Sequence, residues 1–134
     1  MVLATVCVGA QGGTMNLVRE TVLIVDDHAE FRASARALLE ADGFDVIGDA
    51  ADGAEAIEAV ALLKPRLVLL DIQLPGEDGI AVAEQLEGLP DPPMVVFISS
   101  REASAYGPRL TNSSARGFIP KSSLSGQALA SLIG

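Results

Sequence analysis

Four short apolar runs in this chain each lead into a residue that can do chemistry. Val22-Leu23-Ile24-Val25 leads into Asp26-Asp27-His28, and Leu67-Val68-Leu69-Leu70 into Asp71. Met94 to Ile98 closes on Ser99-Ser100, and Gly117-Phe118-Ile119 leads through Pro120 to Lys121. Three carboxylates gathered at one place repel each other, and without a counter-charge one of them must take up a proton. A divalent cation neutralises them, and hard oxygen ligands in this number suit Mg²⁺ or Mn²⁺, whose shells are readily shared with a phosphate. Lys121 adds a compact positive charge on a flexible stem, suited to a phosphoryl oxygen. Ser99 adds a hydroxyl donor. A carboxylate can itself be a nucleophile and form an acyl phosphate. Cation, ammonium and hydroxyl would then stabilise the oxygens of the in-line transition state.

Each member of this set also has a plainer reading. Asp27 can cap a helix, Lys121 can be a solvated surface charge, and Ser99 can be a turn residue. His28 is the single histidine, so neither a Cys/His metal site nor a Ser-His relay can be assembled; it reads as a surface residue at a helix start. No Gly-rich phosphate loop is present. Asp71 is followed by Leu74-Pro75-Gly76 and Asp78-Gly79, a turn-rich loop that shapes the chain beyond it.

Strands and helices must alternate to bring such residues together. The uninterrupted apolar runs at 22–25, 67–70 and 94–98 read as strands buried on both faces, the kind found in parallel sheets. Phe44 to Gly48 and 117–119 are weaker and read as edge strands. Residues 29–41 form a helix with Phe31, Ala35, Leu38 and Leu39 on one face, stopped by Asp42-Gly43. A second helix runs from Gly53 to about Leu63, with Ala54, Ile57 and Ala61 inward and Glu55 and Glu58 outward. A third runs from about Gly79 to Leu86. The 102–115 segment, broken by Gly107-Pro108, predicts a short or irregular helix. Ser125 caps a last helix ending at Ile133. This fivefold β-α repeat implies an α/β fold with three layers: a doubly wound parallel sheet of five strands, order 2-1-3-4-5, in the flavodoxin-like manner. The ends of strands 1, 3, 4 and 5 then lie side by side.

The length of 134 residues suits one domain. Apolar residues at 49% and charged residues at 20% make the composition globular. Eighteen acids against nine bases, a net charge of −9, argue against this chain gripping nucleic acid by itself. No apolar run approaches a membrane span. The single cysteine, Cys7, excludes an internal disulfide and fits a cytoplasmic location. Residues 1–19 read as an N-terminal extension, expected to be mobile, and 20–134 as the domain; Met15 is an alternative start.

Taken jointly, these residues resemble the receiver domains of two-component response regulators, over about residues 20–133. Asp26-Asp27 looks like the family's acidic metal-binding pair and Asp71 like its phospho-accepting aspartate. Ser99 and Lys121 match its hydroxyl and lysine positions, and Phe118 its switch aromatic. The resemblance implies that the backbone carbonyl of Gln73 is a further metal ligand. It implies a histidine kinase or phosphotransfer protein as partner, and a docking face at 102–133 where a second copy would pair after phosphorylation. Pro120 precedes the lysine and Ser122 follows it, a departure from receivers in which proline follows. Asp-Asp-His and Lys-Ser-Ser are similar to receivers joined to helix-turn-helix DNA-binding domains, so the chain is either a receiver cut from such a regulator or a stand-alone one. Rival readings are weaker. A phosphatase with an aspartyl-phosphate intermediate would want a second carboxylate where Gln73 stands. A flavin or nucleotide binder would want a phosphate loop and stacking aromatics, and the chain has one Tyr and no Trp.

Overall fold

The computed structural model describes residues 20–133. The expectations about residues 1–19 therefore lie outside the described residues. Seven strands and five α-helices follow in chain order: β1 (Thr21–Val25), α1 (Ala29–Ala41), β2 (Asp45–Ala50), α2 (Gly53–Leu63), β3 (Leu67–Asp71), β4 (Gln73–Leu74), β5 (Glu77–Asp78), α3 (Gly79–Glu87), β6 (Met94–Ser99), α4 (Pro108–Thr111), β7 (Gly117–Pro120) and α5 (Gly126–Ile133). Five of the strands form one sheet in the order β2-β1-β3-β6-β7, all pairs parallel. This is the expected 2-1-3-4-5 order once β4 and β5 are set aside. Those two pair with each other in a small antiparallel hairpin that the sequence reading treated as loop.

Burial on both faces explains the strand sequences. In β1, Leu23 and Val25 point into one apolar layer with Val68, Leu70 and Phe97, closed by Ala56 and Val60 of α2 and Val82, Ala83 and Leu86 of α3. Val22 and Ile24 point into the other layer with Leu67, Leu69, Val96 and Ile98, closed by Ala35 and Leu39 of α1 and Leu129 of α5. Successive strand side chains alternate between faces, so a strand covered on both sides must be apolar throughout. Fully burying one such Leu, Ile or Phe contributes about 1.5–3 kcal/mol, which makes the central strands the stiff frame of the site.

Two helix faces differ from expectation. Leu38 is 37% exposed, because the buried stripe of α1 runs through Ala35 and Leu39 and Leu38 falls at its margin. In α2 the buried positions are Gly53, Ala56 and Val60, with Ile57 half-buried, while Ala54 and Ala61 face solvent. At the start of this helix Glu77 accepts the Gly53 N–H at 2.8 Å, and its carboxylate fills the space a Cβ on Gly53 would need. The inward face is the one that carries Ala56 and Val60 into the apolar layer with Leu23, Val25 and Val82. Glu55 and Glu58 are exposed as expected.

The 102–115 segment is short and irregular, as its Gly-Pro break predicts. A single 3₁₀ turn spans Ala103–Ala105, then Gly107 at φ +62° reverses the chain into the four-residue α4. The Ser125 hydroxyl accepts the Ala128 N–H at 3.0 Å and caps α5. Among the described residues, no helix is long and apolar enough to cross a membrane.

Candidate functional site

The parallel sheet delivers the ends of β1, β3, β6 and β7 to one rim. Asp71 pairs with Ile98 across β3 and β6, and Ser99 with Pro120 across β6 and β7, so the residues that end these strands are near neighbours. Asp26 is fully buried and Asp71 nearly so, both unusual for carboxylates. One oxygen of Asp71, Oδ1, accepts the Gln73 N–H at 3.0 Å, and the other faces Lys121 Nζ at 3.2 Å. Lys121 Nζ also lies 2.6 Å from Asp26 Oδ2. That second contact is a close charge pair, and among the described residues this ammonium is the one partner of the buried Asp26 Oδ2.

Charge and burial work against each other here. Burial pushes the Asp71 carboxyl up from its ordinary value, and the Asp26 charge adds to the rise. The Gln73 N–H and the Lys121 ammonium pull it down without cancelling the burial effect. For Lys121, burial alone would lower the pKa, yet Asp26 and Asp71 outweigh it, and the ammonium is held more firmly than a free lysine. The Lys121 ammonium lies over Phe31 of α1, whose ring centroid is 4.7 Å from Nζ, within cation–π range.

Ligand-type atoms of Asp26, Asp27, His28 and Asp71 all lie within 4.8 Å of one another. Three of the four are hard carboxylate oxygens. With Asp26 and Asp71 buried and only one ammonium to balance them, they fit a small divalent cation. His28 is exposed, as the sequence reading had it, but its ring Nδ1 lies 3.1 Å from both Asp26 Oδ1 and Asp27 Oδ1. It also takes the N-cap position of α1, so Asp27 is not the cap. Instead the Asp26 carboxylate accepts the His28 N–H at 2.8 Å and fixes the turn that leaves β1.

Ser99 is buried at the same rim, and its hydroxyl is engaged by neighbours other than Asp71. It accepts the Arg101 N–H at 3.0 Å and meets the Tyr106 hydroxyl at 2.5 Å. Tyr106 in turn stacks at a tilt on Phe118, centroids 6.2 Å apart. The rim therefore gathers Asp26, Asp27, Asp71, Ser99 and Lys121, with Phe118 half-buried behind Tyr106. The Gln73 side chain is exposed. Tyr106, Phe31 and the His28 contacts escaped the sequence reading. The position of Tyr106 beside the Gly107-Pro108 break was the one available signal.

The loop beyond Asp71 is held closely. The Gly79 N–H donates to the Ile72 carbonyl at 2.8 Å, and a Cβ on Gly79 would stand 2.3 Å from the Asp71 carbonyl oxygen and 2.6 Å from the Ile72 Cα. Both obstacles are backbone and cannot step aside. Gly79→Ala should therefore lower stability by about 2 kcal/mol, within the usual range for overpacking, and shift the Asp71 main chain. Urea denaturation checks this; a midpoint equal to the wild type would contradict the packing described.

A family model described as the response regulator receiver domain matches residues 22–133. The positive transcription regulator of virulence factors BvgA of Bordetella pertussis is 38% identical over 100 residues, 75% of this chain and 48% of that protein. The DNA-binding transcriptional activator EvgA of Escherichia coli is 30% identical over 99 residues, 74% of this chain and 48% of that protein. The chain thus spans about half the length of these curated relatives. Among solved structures, the signal receiver domain of the response regulator NarL from Mycobacterium tuberculosis superposes with a TM-score of 0.74 at 31% identity, covering 87% of this chain and 98% of that one. With its parallel sheet, its order of strands and the matched 22–133 span, this chain belongs to the response regulator receiver domain family.

Proposed function

We propose that this chain is a phosphorylation-driven switch in the cytoplasm that accepts a phosphoryl group on Asp71 from the phosphohistidine of a kinase or phosphotransfer protein. The observation that carries this reading is the buried Asp71 carboxylate, one oxygen fixed by the Gln73 N–H and the other facing the Lys121 ammonium. In the transfer, an Asp71 oxygen forms the new bond to phosphorus as the phosphorus–nitrogen bond of the donor breaks, and the freed imidazole leaves with the bonding pair. Lys121 moves from the carboxylate pair to the incoming phosphoryl oxygen, so its charge is kept in use throughout. Ser99 offers its hydroxyl to another phosphoryl oxygen. Asp26, Asp27 and Asp71, with the Gln73 backbone carbonyl, would hold Mg²⁺ or Mn²⁺. When bound, that cation supplies the charge needed to bring an anionic phosphoryl group against three carboxylates.

Phosphorylation then changes the face made by residues 102–133 through Ser99 and Phe118, and a partner or a second copy docks there. The relatives are named as transcription regulators and are about twice as long as the matched span. We therefore read the chain as the receiver half of a helix-turn-helix regulator, with a stand-alone receiver as the second reading.

Removal of divalent cations tests the site directly. Acetyl phosphate or phosphoramidate should label the protein in millimolar Mg²⁺ and fail to label it in excess chelator. Labelling that persists in chelator would overturn the proposed cation set.

A further inference from the structure

The hydroxyl that the proposed reaction needs from Ser99 is already engaged. Ser99 is wholly buried, its Oγ accepts the Arg101 N–H, and the same oxygen shares a hydrogen bond with the Tyr106 hydroxyl at 2.5 Å, in which either hydroxyl can be the donor. We infer that Tyr106 is a positioning residue that competes with the phosphoryl group for the Ser99 hydroxyl, so that phosphoryl retention on Asp71 requires Tyr106 to let go. This inference rests on the reading of Asp71 as phosphoacceptor.

Local chain geometry is what places Tyr106 there. It follows the 3₁₀ turn Ala103–Ala105, its N–H bonded to the Ala103 carbonyl at 3.1 Å, and it directly precedes Gly107. A continuous helix through 102–115 would carry the ring round with the helix; the reversal at Gly107 holds it over β6 instead. The ring is partly buried against the layer that holds Phe97 and tilts against Phe118. The next turn is tethered as well, because Arg109 pairs with Asp78, the residue whose carboxylate caps α3 at Ile80. The segment is thus bound at two points, to Ser99 at the rim and to Asp78 at the start of α3. Releasing the first frees the ring that covers Phe118. Phe118 can then turn toward Ser99 only after Tyr106 has moved, which makes the two aromatics act in sequence.

Tyr106→Phe separates this role from mere packing. The ring and its contact with Phe118 remain, and only the hydroxyl is lost. A typical net hydrogen bond removed from the resting state alone should tighten binding of beryllofluoride with Mg²⁺ about fivefold. The same change should lower the resting protein's denaturation midpoint slightly, so affinity and stability move in opposite directions. A purely structural tyrosine would give the stability loss without the affinity gain. Because Tyr106 is the one tyrosine and the chain has no tryptophan, ultraviolet emission of the wild type reports on this side chain alone. That emission should change on saturation with beryllofluoride and Mg²⁺. Equal or weaker affinity in Tyr106→Phe, or unchanged wild-type emission at saturation, overturns the competition. A wild type that binds no beryllofluoride at all would instead overturn the phosphoacceptor reading, and the inference with it.

Discussion

Replacing Lys121 by methionine should destabilise the protein by about 3 kcal/mol at neutral pH, the magnitude seen when one partner of a buried charge set is removed. Methionine keeps an unbranched side chain of similar reach and removes the ammonium, with its ion pairs and its cation–π contact to Phe31, together. Asp26 and Asp71 would be left buried and facing each other with no ammonium between them. Two recoveries should follow. Millimolar Mg²⁺ should return much of the loss, and so should Asp26→Asn in the same chain. The pH dependence has a definite sign. A buried carboxyl whose folded pKa is raised binds its proton more tightly when folded, so stability rises as pH falls through that raised value. The gap between Lys121→Met and wild type should therefore narrow on acidification from neutral pH. In the wild type, the Lys121 pKa is raised above 10.5, so its contribution is complete at neutral pH and is lost only as pH climbs through that raised value. Urea denaturation at several pH values, with and without Mg²⁺, measures all of this. A neutral-pH midpoint matching the wild type would remove the lysine from its assigned place.

Asp71→Asn should abolish phosphoryl labelling and, at the same time, raise stability by about 1–2 kcal/mol at neutral pH. Burial lifts the Asp71 pKa above its unfolded value of 3.8, so ionised Asp71 is less welcome in the folded state than in the unfolded chain. Asparagine is nearly the same shape, still accepts the Gln73 N–H and leaves Lys121 to Asp26. Its advantage is present above the raised pKa, shrinks as pH falls through it and disappears below 3.8, where both states carry the proton. Mass spectrometry after acetyl phosphate treatment and a thermal melt at two pH values check both halves. A variant that still gains a phosphoryl mass would move the acceptor elsewhere; one that melts below the wild type at neutral pH would contradict the burial argument.

Much of this was legible before any coordinates. Wholly apolar runs such as Leu67 to Leu70 have one physical reading, a strand covered on both faces, and three of them fix the centre of the sheet. Right-handed crossovers then leave little choice of order. Asp71 and Lys121 were readable because each ends a strand. What stayed hidden depends on reach across space instead of period along the chain. The start of α2 is tied to Glu77, twenty-four positions away in sequence, through its bond to Gly53. The seating of Lys121 on Phe31 joins the last strand to the first helix. Tyr106 could be seen to lie in a broken helix, but not that the break would hold its hydroxyl on Ser99.

The order of the sheet also bears on how the chain is made. Asp26, Asp27 and Asp71 are supplied by β1 and β3, which are neighbours and come early, whereas the ammonium that balances them arrives behind β7, the final strand. A ribosome-bound chain that has emerged only through β3 carries all three acids of the rim and none of their cationic partner. Pairing β1 with β3 at that stage would bring like charges together with no ammonium to offset them, a repulsion that Lys121 relieves only once β7 has docked. Synthesis thus delivers the acids of the rim first and the ammonium that balances them last.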